Sequence, residues 1–232
     1  MPDFSRTIGA IHQRAAGESP VFRGTAFAFR HQRAFLTAAH CVAGVVTSDL
    51  TITSPHLGGG APLQVTSVEC HPTADLAVVK VGTASIPPAI PFHILSNNHP
   101  PGSDVGAWGY PLDSLPGGGL APTPRVFKGI VQREMNHQSS FGHQYEAGEL
   151  SFGAPRGLSG GPVFTFPQQM HLVGVVTENF ESTTERQTIE EYHDEHGIIR
   201  ESTHKVIQYA VYVALKPVAR WLETHAGGEL GR

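Results

Sequence analysis

Residues 157–162 read Gly157-Leu158-Ser159-Gly160-Gly161-Pro162, and the rest of the chain takes its meaning from them. A nucleophilic serine needs an exposed hydroxyl. It also needs backbone N–H groups beside it, aimed where charge develops on an attacked carbonyl oxygen. Gly157 fits that need: it reaches backbone conformations closed to other residues and has no side chain to obstruct the carbonyl. The N–H groups of Gly157 and Ser159 would then form an oxyanion hole. Gly160 and Gly161 let a following strand approach closely, and Pro162 fixes how that strand begins. The competing reading is a glycine-rich turn ahead of a strand.

Two upstream stretches separate these readings. Phe35-Leu36-Thr37-Ala38-Ala39-His40-Cys41 runs an apolar strand into small residues and presents a histidine at its end. An imidazole with an unperturbed pKa of about 6.5 suits a general base. The chain holds 14 His, so a histidine alone means little. The Ala38-Ala39 pair, which permits close packing, singles out His40. Ala74-Asp75-Leu76-Ala77-Val78-Val79-Lys80 sets a carboxylate at the head of an apolar strand, where burial is costly without a partner. Accepting the His40 N–H would fix the tautomer and orientation of the ring; capping a turn after Pro72-Thr73 is the plainer alternative. The three follow the order His40, Asp75, Ser159, which is that of chymotrypsin and not of subtilisin or the α/β-hydrolases.

At these residues the chain resembles the chymotrypsin (trypsin-like) serine protease family over roughly residues 8–223. Thr37-Ala38-Ala39-His40-Cys41, Asp75-Leu76-Ala77-Val78-Val79 and residues 157–162 match its three motifs, and Gly24-Thr25-Ala26-Phe27 looks like the strand before the histidine in bacterial members. The resemblance implies an all-β fold: two antiparallel six-stranded barrels with the site in the cleft between them, and a C-terminal helix. Residues 1–98 would carry His40 and Asp75, and residues 99–232 would carry Ser159. Leu158 stands where zymogen-type members carry an aspartate that pairs with a newly cut N-terminus, so the chain is closer to the HtrA branch. The family's usual partner for Cys41 is absent. By the same resemblance, Gly153 would form the base of the specificity pocket, Ala154 and Pro155 a wall, and Thr177, Glu178 and Asn179 the edge on which substrate adds as a strand. Ala210 would lie near the pocket. No aspartate stands at Gly153 and Val176 replaces the histidine of glutamate-specific relatives, leaving a small-to-medium apolar side chain as the expected preference.

Apolar runs broken by 26 Gly and 18 Pro predict strands over 7–13, 25–30, 34–37, 63–70, 76–81, 105–109, 126–133, 145–152, 163–166 and 171–177. Residues 96–103, with paired Asn and paired Pro, read as the crossing between halves. Residues 178–203 form an acidic insertion in which Ser182-Thr183-Thr184-Glu185, as a capping box, and Gly197, as a stop, predict one short helix. Val218, Ala219, Trp221 and Leu222 predict an amphipathic helix over 216–225.

Charged residues make up 16% and the net charge is −4, which argues against nucleic-acid binding. No stretch approaches the roughly 18 apolar residues of a membrane span. The N-terminus has neither a basic start nor an apolar core, so no secretory signal is expected. Cys41 and Cys70 are the only cysteines; they read as buried thiols in a reducing, cytoplasmic setting, with a bridge between them left open. His193-Asp194-Glu195-His196 lacks the pattern of a metal site, and neither metal nor cofactor is expected. The function expected is a serine endopeptidase making limited cuts in a protein partner. The alternative is a silent or gated protease-fold module that binds peptides, governed by an activating or fused partner domain.

Overall fold

Leu76-Ala77-Val78-Val79 is continuously apolar, and the fold shows why. Ala77 and Val79 point into the first barrel, with Ile11, Ala26, Phe35, Leu50, Ile52 and Val65. Leu76 and Val78 point outward into a second cluster that also contains Ile8, Phe27, Leu36, Val213 and Leu222. Strands buried on both faces lose the alternation of a half-solvated sheet.

The computed structural model describes residues 7–15, 17–29, 34–56, 60–82, 93–94, 99–114, 119–165, 171–193 and 197–226. The first barrel comprises β1 (Ile8–Gln13), β2 (Val21–Ala28), β3 (Ala34–Thr37), β4 (Leu50–Thr53), β5 (Leu63–Cys70) and β6 (Ala77–Val81). It closes in the order β1-β2-β3-β6-β5-β4.

The second half contains β7 (His93–Ile94), β8 (Asp104–Gly109), β9 (Leu112–Ser114), β10 (Leu120–Pro122), β11 (Arg125–Gln138), β12 (Gln144–Leu150), β13 (Pro162–Thr165), β14 (His171–His193) and β15 (Gly197–Ala214). Its seven-stranded sheet runs β13-β8-β11-β12-β15-β14-β7, and a further β13–β14 pairing joins six of the strands into a ring. β9 and β10 form a separate two-stranded ribbon. Helix α1 (Ala219–Ala226) buries Leu222 and Ala226 in the cluster shared by the two halves.

Three expectations are corrected. The acidic insertion is not helical: β14 and β15 continue through it as one long antiparallel hairpin, paired from Gly174↔Ala214 to His193↔Gly197. Thr183, Thr184, Thr188, Ile189 and Tyr192 face a returning strand rich in Ile198, Ile199, Thr203, Val206 and Ile207. β-branched and aromatic residues with a cross-strand partner favour pairing over an isolated short helix. The crossing was expected at 96–103, yet β7 already pairs in parallel with β14. Cys70 was read as a buried thiol, but it is exposed; Cys41 is buried and both are free. Cys70 ends β5, whose last two residues lie beyond the barrel interior.

Candidate active site

His40 lies in a single 3-10 turn, Ala39–Cys41, at the end of β3. Buried Ala38 and Ala39 let this turn settle against the barrel. Asp75 arrives from the loop between β5 and β6. In that loop His71 Nδ1 accepts from the N–H of Thr73 at 3.2 Å and of Ala74 at 2.9 Å, while the His71 N–H donates to the carbonyl of Leu76 at 2.8 Å. Trp221 of α1 packs edge-on to His71 with ring centroids 5.0 Å apart, so the C-terminal helix braces the loop that delivers the carboxylate.

Asp75 is wholly buried. Its Oδ2 lies 2.6 Å from His40 Nδ1, and its Oδ1 accepts the backbone N–H of His40 at 2.9 Å. A carboxylate only accepts, so the proton sits on Nδ1 and Nε2 is left facing outward. Burial disfavours the imidazolium, but Asp75 and the neighbouring Cys41 sulfur outweigh it and push His40 up to about 10. Cys41 Sγ lies 3.7 Å from His40 Nε2 and 3.7 Å from the Ser159 carbonyl.

Ser159 is held by stitches from the first barrel. Thr25 is fully buried. Its N–H donates to the Ser159 carbonyl at 2.8 Å, and its hydroxyl donates to the Gly157 carbonyl at 2.8 Å while accepting the Tyr110 N–H at 2.9 Å. Gly157 has φ +98°, and a Cβ there would come within 2.5 Å of the Tyr110 carbonyl, so only glycine fits. Leu158 is a buried core side chain whose N–H donates to the Pro155 carbonyl. Among the described residues, the N–H groups of Gly157 and Ser159 donate to no protein acceptor. Ser159 Oγ donates at 3.0 Å to the carbonyl of Thr177, the residue at a register shift in β14, and makes no hydrogen bond to His40. Such a bulge aims a group that a regular ladder would consume.

His40 and Ser159 both line a cavity of about 920 Å³. The tip of the β11–β12 hairpin lies across it. Phe141, 56% exposed, stacks on the His40 ring with centroids 4.4 Å apart and planes 8° apart. Glu178 ties this tip down. Its Oε1 accepts from the backbone N–H of Ser140 at 2.8 Å and from the Ser140 hydroxyl at 2.6 Å; its Oε2 accepts His137 Nε2 at 2.8 Å. Burial works against the Glu178 carboxylate, but these donors prevail and lower its pKa. Just beside the tip the Gln144 N–H donates to the Thr73 carbonyl at 2.9 Å, linking the hairpin to the Asp75 loop.

Of the residues read from the sequence, Ala154, Thr177, Glu178 and Asn179 line the cavity together with His40 and Ser159. Gly153 and Ala210 do not, and Ala210 is buried in the core of the second sheet. Thr25, Phe141, His137 and Gln208 were missed. Thr25 and Gln208 carry no motif of their own, and the covering role of Phe141 depends on where a hairpin tip folds. Among the described residues no three His, Cys, Asp or Glu side chains form a metal-holding group; residues 194–196 of the sequence candidate lie outside them. No helix is long and apolar enough to cross a membrane among the described residues.

A closed barrel, a second sheet ring and a C-terminal helix make the fold of a chymotrypsin-like serine peptidase, and the serine loop shares a cavity with His40. The family model of the trypsin-like peptidase domain matches residues 24–175, and the chain belongs to that family. Among solved structures, the active form of the Rv3671c protease from M. tuberculosis is similar, with 19% identity and a TM-score of 0.62 over 99% of this chain and 85% of that one. The apo MamO protease domain from Magnetospirillum magneticum gives 16% identity and a TM-score of 0.62 over 94% and 97%. The HtrA-type protease AlgW with decapeptide gives 16% and 0.62 over 96% and 66%. No curated protein matches the chain.

Proposed function

We propose that this chain is an endopeptidase in which Ser159 is the nucleophile, His40 the general base and acid, and Asp75 the group that orients His40. The observation that carries the reading is the buried 2.6 Å His40–Asp75 contact in the same cleft as Ser159. Ser159 Oγ bonds to the peptide carbonyl carbon as its proton passes to His40 Nε2. The carbonyl oxygen takes the negative charge facing the unpaired N–H groups of Gly157 and Ser159. The C–N bond then breaks, His40 gives its proton to the leaving amine, and water repeats the sequence on the acyl-enzyme. Limited cleavage of a protein partner in a reducing, cytoplasmic compartment fits the two free thiols.

Specific observations favour a gated form of this reading. Ser159 Oγ is engaged by Thr177, and Phe141 covers the His40 ring. Catalysis then requires the hairpin tip to lift and the serine to turn toward His40.

Intact-mass labelling with a fluorophosphonate tests the nucleophile. Wild type should gain one adduct and Ser159→Ala none, with kcat on any cleaved protein falling by about 10⁶. Equal cleavage by both proteins would sink the assignment.

A further inference from the structure

We infer that Asn179 and Gln208 set the specificity, closing the subsite next to Ser159 to all but small side chains such as those of alanine and serine. The inference rests on Ser159 being the nucleophile. With the attacked carbonyl over Ser159 and its oxygen toward the Gly157 and Ser159 N–H groups, the side chain on the acyl side faces Ala154, Asn179 and Gln208.

That space is already occupied. Asn179 Oδ1 accepts the Ala154 N–H at 2.9 Å, which bars the gap between the β14 edge and the serine loop. A Cβ at Gly153 would come within 2.8 Å of Gln208 Cβ, 3.0 Å of Gln208 Oε1 and 3.3 Å of Asn179 Oδ1. The volume beside the Gly153 backbone is therefore filled, which is why Gly153 and Ala210 do not line the cavity. Gln208 is itself held, donating from Nε2 to Glu181 Oε1 at 2.6 Å.

The orientation of both amides follows from their partners. A backbone N–H only donates, so Asn179 turns its oxygen to Ala154; a carboxylate only accepts, so Gln208 turns its nitrogen to Glu181. Asn179 Nδ2 is left without a partner among the described residues, and a serine hydroxyl on the substrate can accept from it. A phenylalanine or leucine would have to displace the bar and leave the N–H of buried Ala154 unpaired, which disfavours it at least about tenfold.

Peptidyl diphenyl phosphonates differing only in the terminal residue (alanyl, phenylalanyl, lysyl) test this by their rates of adduct formation, beside a fluorophosphonate that has no such side chain. The alanyl probe should label wild type at least about tenfold faster than the phenylalanyl one. In Asn179→Gly that ratio should collapse toward one, and Gln208→Ala should shift it the same way by less. A wild-type preference for the phenylalanyl or lysyl probe overturns the subsite while the nucleophile stands, as does a ratio unmoved in both variants. Failure of both folded wild type and folded Phe141→Ala to react with the fluorophosphonate overturns the nucleophile, and the subsite with it.

Discussion

The two halves of the cleft are built to different tolerances. On the first-barrel side, Asp75 is buried without exposure and spends both oxygens on His40. On the side of the second sheet, Ser159 is partly exposed, its hydroxyl bonds a main-chain carbonyl, and its surroundings include rim residues on a hairpin tip and a strand edge. A buried carboxylate stripped of its partner costs several kcal/mol, so the first half must be complete when the chain folds. One neutral hydrogen bond is worth about 1 kcal/mol net, so the Ser159 hydroxyl can turn at small cost. On the gated reading proposed above, the movable parts are the serine hydroxyl and the hairpin tip, and the imidazole–carboxylate pair stays fixed.

The sharpest way to break this contrast is Asp75→Asn. If the first half is fixed and works through the tautomer it imposes, kcat should fall by about 10⁴ with fold and fluorophosphonate access to the cleft retained. A loss under tenfold would mean the pair is merely structural.

Next in size is the cover. Phe141→Ala removes a ring stack worth about 0.5–1.5 kcal/mol, so labelling of Ser159 should accelerate between about 2- and 10-fold. Glu178→Gln, which weakens the donors' hold on the tip, should act in the same direction. Slower labelling in both would show that the tip helps the reaction instead of blocking it. Because the Glu178 pKa is lowered, its hold on the tip is present above the ordinary glutamate pKa of about 4.3 and is lost only as pH falls through its lower folded value. Mild acid should therefore leave the cover closed.

The smallest expected effect is on stability, read as a urea midpoint against pH. Burial lowers the pKa of His12, His71 and His99. Below about 6.5 the unfolded chain binds more protons at these sites, so the midpoint should drop on acidification. His40 has the opposite sign: its raised pKa contributes stability fully present below about 6.5 and lost as pH rises toward about 10. His71→Asn should flatten the acid limb; an unchanged limb would remove His71 from the account.

Much of this was legible in local sequence because the constraints are local. Gly157 is demanded by its own φ and by the approach of the Tyr110 carbonyl. The 34–37 strand, the Ala38-Ala39 step and the apolar run after Asp75 are read from side-chain size and hydropathy. The 178–203 insertion misled because a capping-box pattern is a property of four residues, whereas a hairpin depends on a partner strand some 20 residues away. Residues 69–70 misled for a similar reason: where a strand leaves the barrel wall is fixed by its neighbours, so the exposure of Cys70 leaves no local mark.

By itself, then, the sequence determined the strand-rich architecture, the order of His40, Asp75 and Ser159, and the glycines that let the serine loop form. Those features follow from backbone sterics and burial, which each residue carries with it. Only the tertiary structure decided that Thr25 stitches the serine loop to the first barrel, that Phe141 lies on His40 under the hold of Glu178, and that Asn179 meets Ala154 across the cavity. These are contacts between segments far apart in the chain, and their energy exists only once the barrel and the second sheet have formed and brought the partners within reach.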